Sequence, residues 1–179
     1  MRGEHAPASI SKMTIMKIKH MIAVSLLLLT GIRTANAVEW QMKQGPMMTP
    51  WSETLDPENV LGEYPRPQME RQEWMNLNGI WDLRKAIQDE AYSPDFIYDK
   101  KILVPFPLES AISGVMEESD NQCYWYRRTL TIPESMKGKN ILLHFDAVDW
   151  KAIVYVNGKK VGQHTGGYDP FYFDITSAL

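Results

Sequence analysis

The sequence predicts an all-β fold, an antiparallel jelly-roll β-sandwich. Several short segments are rich in β-branched and aromatic residues, and in some of them apolar and polar residues alternate. Asn157-Gly158 lies between two such runs, which is the strongest short-range signal for a β-hairpin. No long stretch after residue 37 shows a helical period. Short strands separated by turn signals, without helices, favour a sandwich or jelly roll.

Six segments account for the expected strands and the hairpin. The run 101–109 contains two prolines, so it suits a strand end or an edge strand. In 123–133, Tyr124 and Tyr126 share one face, while Trp125 and Arg127 share the other. Arg127 and its neighbour are therefore expected on opposite faces, one of them pairing with an acid such as Glu109. The segments are 74–85, 101–109, 123–133, 140–148, 151–164 and 171–175.

The first 37 residues have the order of a secretory signal sequence. Lys17 and Lys19 precede an apolar run from Met21 to Leu29, and small residues end the segment at Ala37. We expect cleavage after Ala37 and a secreted or periplasmic protein. The apolar run is far shorter than the roughly 20 residues that span a bilayer, so no membrane span is expected. The alternative is an N-terminal core helix.

Residues 38–72 are expected to form an extended N-terminal strap, and residues 73–179 the jelly roll. Prolines recur through the first of these segments, and each restricts its own φ and disfavours helix at the preceding residue. The segment nevertheless carries large apolar side chains, among them Trp40 and Trp51. That apolar content favours a strap lying over a domain, although a free linker is the alternative.

Charge and composition exclude several classes of function. The chain has a formal net charge of −3, and five basic residues but one acidic residue lie in the first 37, which leaves −7 on the remainder. Such a charge disfavours nucleic-acid binding. Cys123 is the single cysteine, so no internal disulfide and no multi-cysteine metal site can form. Phosphate-binding and serine-hydrolase motifs are absent from the sequence.

Four segments occur in a specific order: "PENVLGEYPRPQMERQEWMNLNGIWDL", "VPFPLESAISGV", "CYWYRRTLTIP" and "DAVDWKAIVYVNGKKVGQHTGGYDPFYFDIT". In order and spacing they resemble the N-terminal sugar-binding domain of glycoside hydrolase family 2. That family includes β-galactosidases, β-glucuronidases and β-mannosidases. The likeness runs from about Trp51 to Leu179, and it implies a jelly roll of the galactose-binding type.

The resemblance also implies what surrounds such a domain. Complete members continue with an immunoglobulin-like sandwich and a TIM barrel, which would be this domain's partners. The barrel supplies two glutamates, roughly 5–5.5 Å apart, that hydrolyse a glycosidic bond with retention. No residue of this chain maps onto that pair, so no catalytic residue and no cofactor are expected in it. We further expect the jelly roll to lack its last strand or strands after Leu179.

Asp169 and His164 are predicted to bind substrate. In some β-galactosidases of the family, an aspartate after this turn reaches the active site and contacts sugar hydroxyls and a sodium ion. Asp169 occupies a comparable position, so the resemblance implies a sugar and Na⁺ ligand in a complete parent enzyme. A carboxylate accepts hydroxyl protons and suits a hard cation. The alternatives are a loop carboxylate that binds backbone N–H groups and a structural histidine.

Asp149-Trp150 is the second predicted carbohydrate contact. A tryptophan face can stack on the C–H surface of a sugar while an aspartate accepts hydroxyl protons. The alternative places Trp150 beneath a neighbouring loop. In the nearby segment, Phe171 and Phe173 are expected in the core, and Asp174 is expected to bind local backbone.

Three functions follow from these observations. The first is the non-catalytic sugar-binding domain of a secreted family 2 glycosidase, β-galactosidase-like, that hydrolyses O-glycosyl bonds in the complete enzyme. The second is a stand-alone carbohydrate-binding module. The third is an inert gene fragment. A jelly roll without its last strand would have an open sheet edge, and such an edge favours aggregation.

Overall fold

The computed structural model describes residues 38–119 and 123–179. The predicted signal sequence, residues 1–37, lies outside this part. Every strand pair in the described residues is antiparallel, as the sequence predicts. The strands are β1 Gly79–Ala86, β2 Lys100–Val104, β3 Cys123–Arg127, β4 Leu142–Phe145, β5 Lys151–Val156, β6 Lys159–Thr165 and β7 Phe171–Asp174.

The strands form three small sheets that build an all-β sandwich, which confirms the predicted fold class. Their orders are β2-β1-β3, β4-β7 and β5-β6. The proline-containing run therefore supplies an edge strand, because β2 lies at the side of its sheet. The hairpin prediction is also confirmed: Asn157 and Gly158 have φ angles of 49° and 80°, as a type I′ turn requires.

Helical structure in the described residues is limited to single turns. The α-helix α1 spans Pro50–Glu53, and 3₁₀ turns span Pro67–Met69, Ala111–Ser113, Glu134–Met136 and Thr176–Ala178. The sequence did not predict α1; Pro50 at its first position suits a helix start because its missing N–H needs no partner there. Within 38–119 and 123–179, no helix has the length and apolarity to cross a membrane.

The start of the segment before β1 is hydrogen-bonded to the turn Ala111–Ser113. Trp40 donates its indole N–H to the carbonyl of Ser113 at 2.8 Å, and the Lys43 amide donates to the Ala111 carbonyl at 2.9 Å. Asn76 donates from its side chain to the carbonyl of Val60 at 2.9 Å. The first two bonds tie the start of the segment to the domain and the third lies within the segment, which forms no strand.

Two apolar clusters stabilise the sandwich. The first lies under β1 and β2 and contains Leu83, Ile102, Leu108 and Val115. The second joins β4 and β7, where Phe145 stacks on Phe171 with ring centroids 4.8 Å apart. Phe171 is buried, as predicted, while Phe173, also predicted in the core, is half-buried and contacts it edge to face at 5.7 Å. Burial of such side chains drives folding.

A charged ladder crosses the three-stranded sheet. Asp82 of β1 lies opposite Lys101 of β2 and Arg127 of β3 in the two ladders. Its carboxylate accepts from Lys101 and, at 2.9 Å, from Arg127 Nε, and Arg127 Nη2 lies 2.8 Å from the same carboxylate. Arg127 therefore pairs with an acid, as predicted, but this acid is Asp82 and not the suggested Glu109, which accepts from Ser119. Asp82 gains two cationic partners because both neighbouring strands present them on the same face.

Acid is expected to weaken this ladder. Burial raises the pKa of Asp82, but hydrogen bonds and charge from Lys101 and Arg127 outweigh it and lower the pKa below its ordinary value of 3.8. A carboxyl whose pKa is lower in the folded protein stabilises it at pH values above the pKa of the unfolded state. That stabilisation is lost as the pH falls through the pKa of the folded state. The free energy of unfolding, measured with urea between pH 7 and pH 2, should fall below about pH 4 in the wild type. It should fall less over the same range in Asp82→Asn. Equal declines in both proteins would contradict this assignment.

Candidate functional site

Two connections lie side by side at one end of the sandwich. The β4–β5 connection contains Asp149 and Trp150, and the β6–β7 connection is 166–170. The Gly166 amide donates to the Trp150 carbonyl at 2.8 Å. A Cβ placed on Gly167 would lie 2.9 Å from Asp149 Oδ1. We call these residues, 149–150 and 166–170, the loop end; it brings together the residues that the sequence singled out.

His164 is held rigidly at the edge of the loop end. It lies opposite Ala152 in the β5–β6 ladder, and its ring stacks on Phe171 with centroids 4.2 Å apart and planes at 14°. Its Nε2 atom is buried and has no hydrogen-bond partner among the described residues. A buried polar atom of this kind is uncommon in proteins and calls for a partner. His164 thus combines a fixed core position with an unused polar atom.

Asp169 approaches the same glycine as His164. A Cβ on Gly166 would lie 3.5 Å from His164 Nε2 and 3.9 Å from Asp169 Oδ2. Asp169 is exposed on the loop end, where its carboxylate is open to solvent. Because His164 Nε2 is buried, the exposed Asp169 carboxylate is the group of this pair that can accept from a ligand hydroxyl. The structure therefore brings His164, Asp169 and Asp149-Trp150 into one region.

Exposed aromatic rings flank these polar groups. Trp150 is 65% exposed and Tyr168 is 96% exposed. Trp150 does not lie beneath the neighbouring loop, which was the structural alternative for it. Tyr168 was not singled out from the sequence, although it lies in the same "GGYDP" segment. Large aromatic surfaces of this kind are typical of binding sites, since they present a flat apolar face beside polar groups.

No ready-made metal centre accompanies the loop end. In the part of the chain that the structure describes, no group of three His, Cys, Asp or Glu side chains could hold a metal ion. Asp149 and Asp169 are the two carboxylates of the loop end, and the predicted sodium contact of Asp169 stays a prediction.

The aromatic residue Trp125 belongs to a structural cluster elsewhere. Its ring lies 5.3 Å from Phe96 and 5.7 Å from Tyr155, and its indole N–H donates to Glu90 at 2.9 Å. Glu90 also accepts from Arg84, whose guanidinium lies 4.1 Å from the Phe96 ring centre. These contacts attach residues 87–99, which connect β1 and β2, to strands β3 and β5. The ring of Trp125 is therefore packed between secondary-structure elements and is not part of the loop end.

Comparison with known proteins decides the family. The model of the glycosyl hydrolases family 2 sugar binding domain matches residues 64–179. This chain belongs to that family. The match includes the loop end and strands β1 to β7, so the domain described here is the family's sugar-binding domain.

Relatives are glycosidases of more than one specificity. A β-galactosidase of Thermoanaerobacter pseudethanolicus is 37% identical over 108 residues, 59% of this chain and 14% of that protein. A β-glucuronidase of Paenibacillus borealis is 28% identical over 119 residues, 63% of this chain and 20% of that protein. The chain thus spans a fifth or less of these relatives' lengths.

A solved structure shows the same fold. The β-glucuronidase from Ruminococcus gnavus, in complex with a C6-substituted uronic isofagomine, matches with a TM-score of 0.52 at 20% identity. The match covers 65% of this chain and 21% of that chain. At this level of identity the likeness concerns the fold alone.

Proposed function

We propose that this chain is the non-catalytic sugar-binding domain of a family 2 glycoside hydrolase that cleaves β-galactosides in its complete form. The family match over residues 64–179 carries the proposal. The β-galactosidase relative, at 37% identity over 108 residues, supports the galactoside specificity. Catalytic carboxylates would come from a barrel domain, and the sugar-binding domain would contribute the rim of the substrate site.

The loop end is the surface that this proposal assigns to the sugar. Trp150 and Tyr168 offer exposed aromatic faces, while Asp149 and Asp169 offer hydroxyl acceptors beside them. Sugar sites combine these two features, because ring C–H groups are apolar and hydroxyls need directed partners.

The specificity is tested with the protein made from the complete reading frame. An aryl β-D-galactoside and the matching aryl β-D-glucuronide are supplied at equal concentrations, and release of the aryl alcohol is followed. We expect hydrolysis of the galactoside at a kcat/KM at least about tenfold higher, equivalent to about 1.4 kcal/mol. Preference for the glucuronide would overturn the specificity. Absence of hydrolysis, with galactoside binding by calorimetry, would favour a stand-alone carbohydrate-binding module.

Substitutions at the loop end should weaken the complete enzyme. Trp150→Ala and Asp169→Asn are each expected to raise KM for the galactoside about tenfold, because each removes a contact to the sugar. Both residues are exposed, so the unfolding temperature should change little. Lys160→Gln, an exposed change on the β5–β6 hairpin, is the control and should leave KM unchanged. Unaltered kinetics in both loop-end variants would remove this surface from the site.

We also propose that the protein is exported and that its signal sequence is cleaved after Ala37. The order of basic, apolar and small residues in the first 37 positions supports this. Mass spectrometry of the protein recovered outside the cytoplasm should give an N-terminus at Val38. Recovery of an intact N-terminus from the cytoplasm alone would reject export.

A further inference from the structure

The outward side of the β4–β7 pair carries side chains that the core does not use. In its ladder, His144 lies opposite Tyr172, while Leu143 and Phe145 alternate to the other side. Tyr172 is 61% exposed, and its ring centre lies 5.2 Å from that of His144 with the planes at 35°. We call this surface the outer face. It presents a tyrosine ring and an imidazole directly to solvent.

Arg66 reaches the outer face from the segment before β1. Its Nη1 donates to His144 Nδ1 at 3.3 Å, and its Nη2 lies 3.7 Å from Asp146 Oδ1. The Arg66 side chain is 44% exposed, and an exposed pair at that distance contributes little stability. A guanidinium has five N–H donors, so Arg66 keeps donors for another acceptor. Arg66 and Tyr172 both contact His144, so the imidazole lies between a cation and an aromatic ring.

The surroundings of His144 are positively charged. Burial lowers the pKa of His144, and the charges of Arg66 and Arg71 lower it further, against an opposing effect of Asp146. A neutral imidazole agrees with Nδ1 accepting the hydrogen bond from Arg66. Arg66 and Arg71 thus act on His144 in the same direction, and Asp146 opposes them. An anion bound here would relieve the repulsion that keeps His144 neutral.

We propose that the outer face binds a carboxylate-bearing saccharide, such as an oligomer of uronic acids, at a site separate from the loop end. The sugar carboxylate accepts charge-assisted hydrogen bonds from Arg66, which is the geometry that guanidinium favours. The apolar face of the sugar ring lies on Tyr172. A neutral sugar lacks the first contact, and a simple inorganic anion lacks the second. The combination therefore selects for an acidic sugar.

Binding at this site is linked to the protonation of His144. A bound carboxylate stabilises the imidazolium, so the pKa of His144 rises when the ligand binds. By reciprocity, protonated protein binds the ligand more tightly, so affinity increases as pH falls from 7.5 to 5.5. The groups that face His144 are Arg66, Arg71, Asp146 and Tyr172. Of these groups, the imidazole is the one whose ordinary pKa lies within this range.

The test uses the full chain and trigalacturonate as the probe, with calorimetry at pH 6.5 and low salt. Its fully methyl-esterified form is the matched neutral probe, because it keeps the rings and removes the charges. We expect the ester to bind at least about tenfold more weakly than the acid. Arg66→Gln and Tyr172→Ala should each weaken acid binding about tenfold. In NMR titrations, the acid should shift the midpoint of His144 to higher pH.

Two controls distinguish this site from the rest of the surface. Lys160→Gln removes one positive charge on the β5–β6 hairpin, and Tyr168→Ala removes an exposed ring at the loop end. Both should change affinity for the acid by less than about twofold. Arg66 and Tyr172 are exposed, so their variants should keep the wild-type unfolding temperature. Absence of binding, equal binding of acid and ester, equal binding of inorganic phosphate, or wild-type affinity in both outer-face variants would each overturn the proposal.

Discussion

Gly162→Ala is expected to destabilise the protein by about 3 kcal/mol, at the upper end of the effects of overpacking a core. A Cβ on Gly162 would lie 2.1 Å from Cε1 and 2.4 Å from Cδ1 of Phe173. Carbon atoms prefer separations near 3.5–4.0 Å, so the ring or the strand must move. Gly162 belongs to β6 and Phe173 to β7, so the displacement separates two sheets. Urea denaturation should show the loss as a lower midpoint with an unchanged slope.

The ring of Phe173 has little room to yield. It lies opposite Leu143 in the β4–β7 ladder and contacts Phe171 edge to face. A smaller side chain at position 173 should therefore restore part of the stability that Gly162→Ala loses. In a double-mutant cycle, Gly162→Ala combined with Phe173→Leu should lose at least about 1 kcal/mol less than the sum of the single changes. Additive losses would show that the two positions do not share the contact.

The fold class was predictable because it depends on local patterns. The Asn157-Gly158 turn follows from the positive φ angles that a type I′ hairpin needs, and the structure has both. Asp174 was expected to bind local backbone, and its carboxylate accepts from the Thr176 amide at 2.9 Å. The third strand is shorter than its composition suggests, Cys123–Arg127. The side chain of Arg128 there donates to the carbonyls of Leu77 and Asn78, and so closes the turn before β1.

The candidate site was only partly predictable. Asp149, Trp150, His164 and Asp169 lie in segments that the sequence marked, and the structure places them together at the loop end. The outer face has no sequence signal, because Arg66 and His144 are 78 positions apart. The pairing of Arg127 with Asp82 was missed for the same reason: strand order, not spacing, makes them neighbours. Long-range partners of charged residues therefore need the sheet topology.

Gly114→Ala is expected to cost about 3 kcal/mol and to loosen the N-terminal segment. Gly114 has a φ of 85°, in the left-handed region, where a Cβ adds about 1–2 kcal/mol of strain. That Cβ would also lie 2.4 Å from Trp40 Nε1 and 2.9 Å from the Gln41 carbonyl oxygen. The indole must move away, and its hydrogen bond to Ser113 is lost with it. Limited proteolysis should cut the segment around Trp40 faster in the variant than in the wild type.

Gly138→Ala is the control for Gly114→Ala, because it introduces the backbone strain without displacing the Trp40 indole. Gly138 has a similar φ of 74°, but a Cβ there would meet no atom within 4 Å. It should therefore lose only the strain, about 1–2 kcal/mol, and leave proteolysis near Trp40 unchanged. The difference between the two variants measures what attachment of the segment contributes. If both variants lost the same stability, Trp40 would not tie this segment to the domain. A larger loss at Gly114, with faster cleavage, means that residues before the first strand belong to the folded unit.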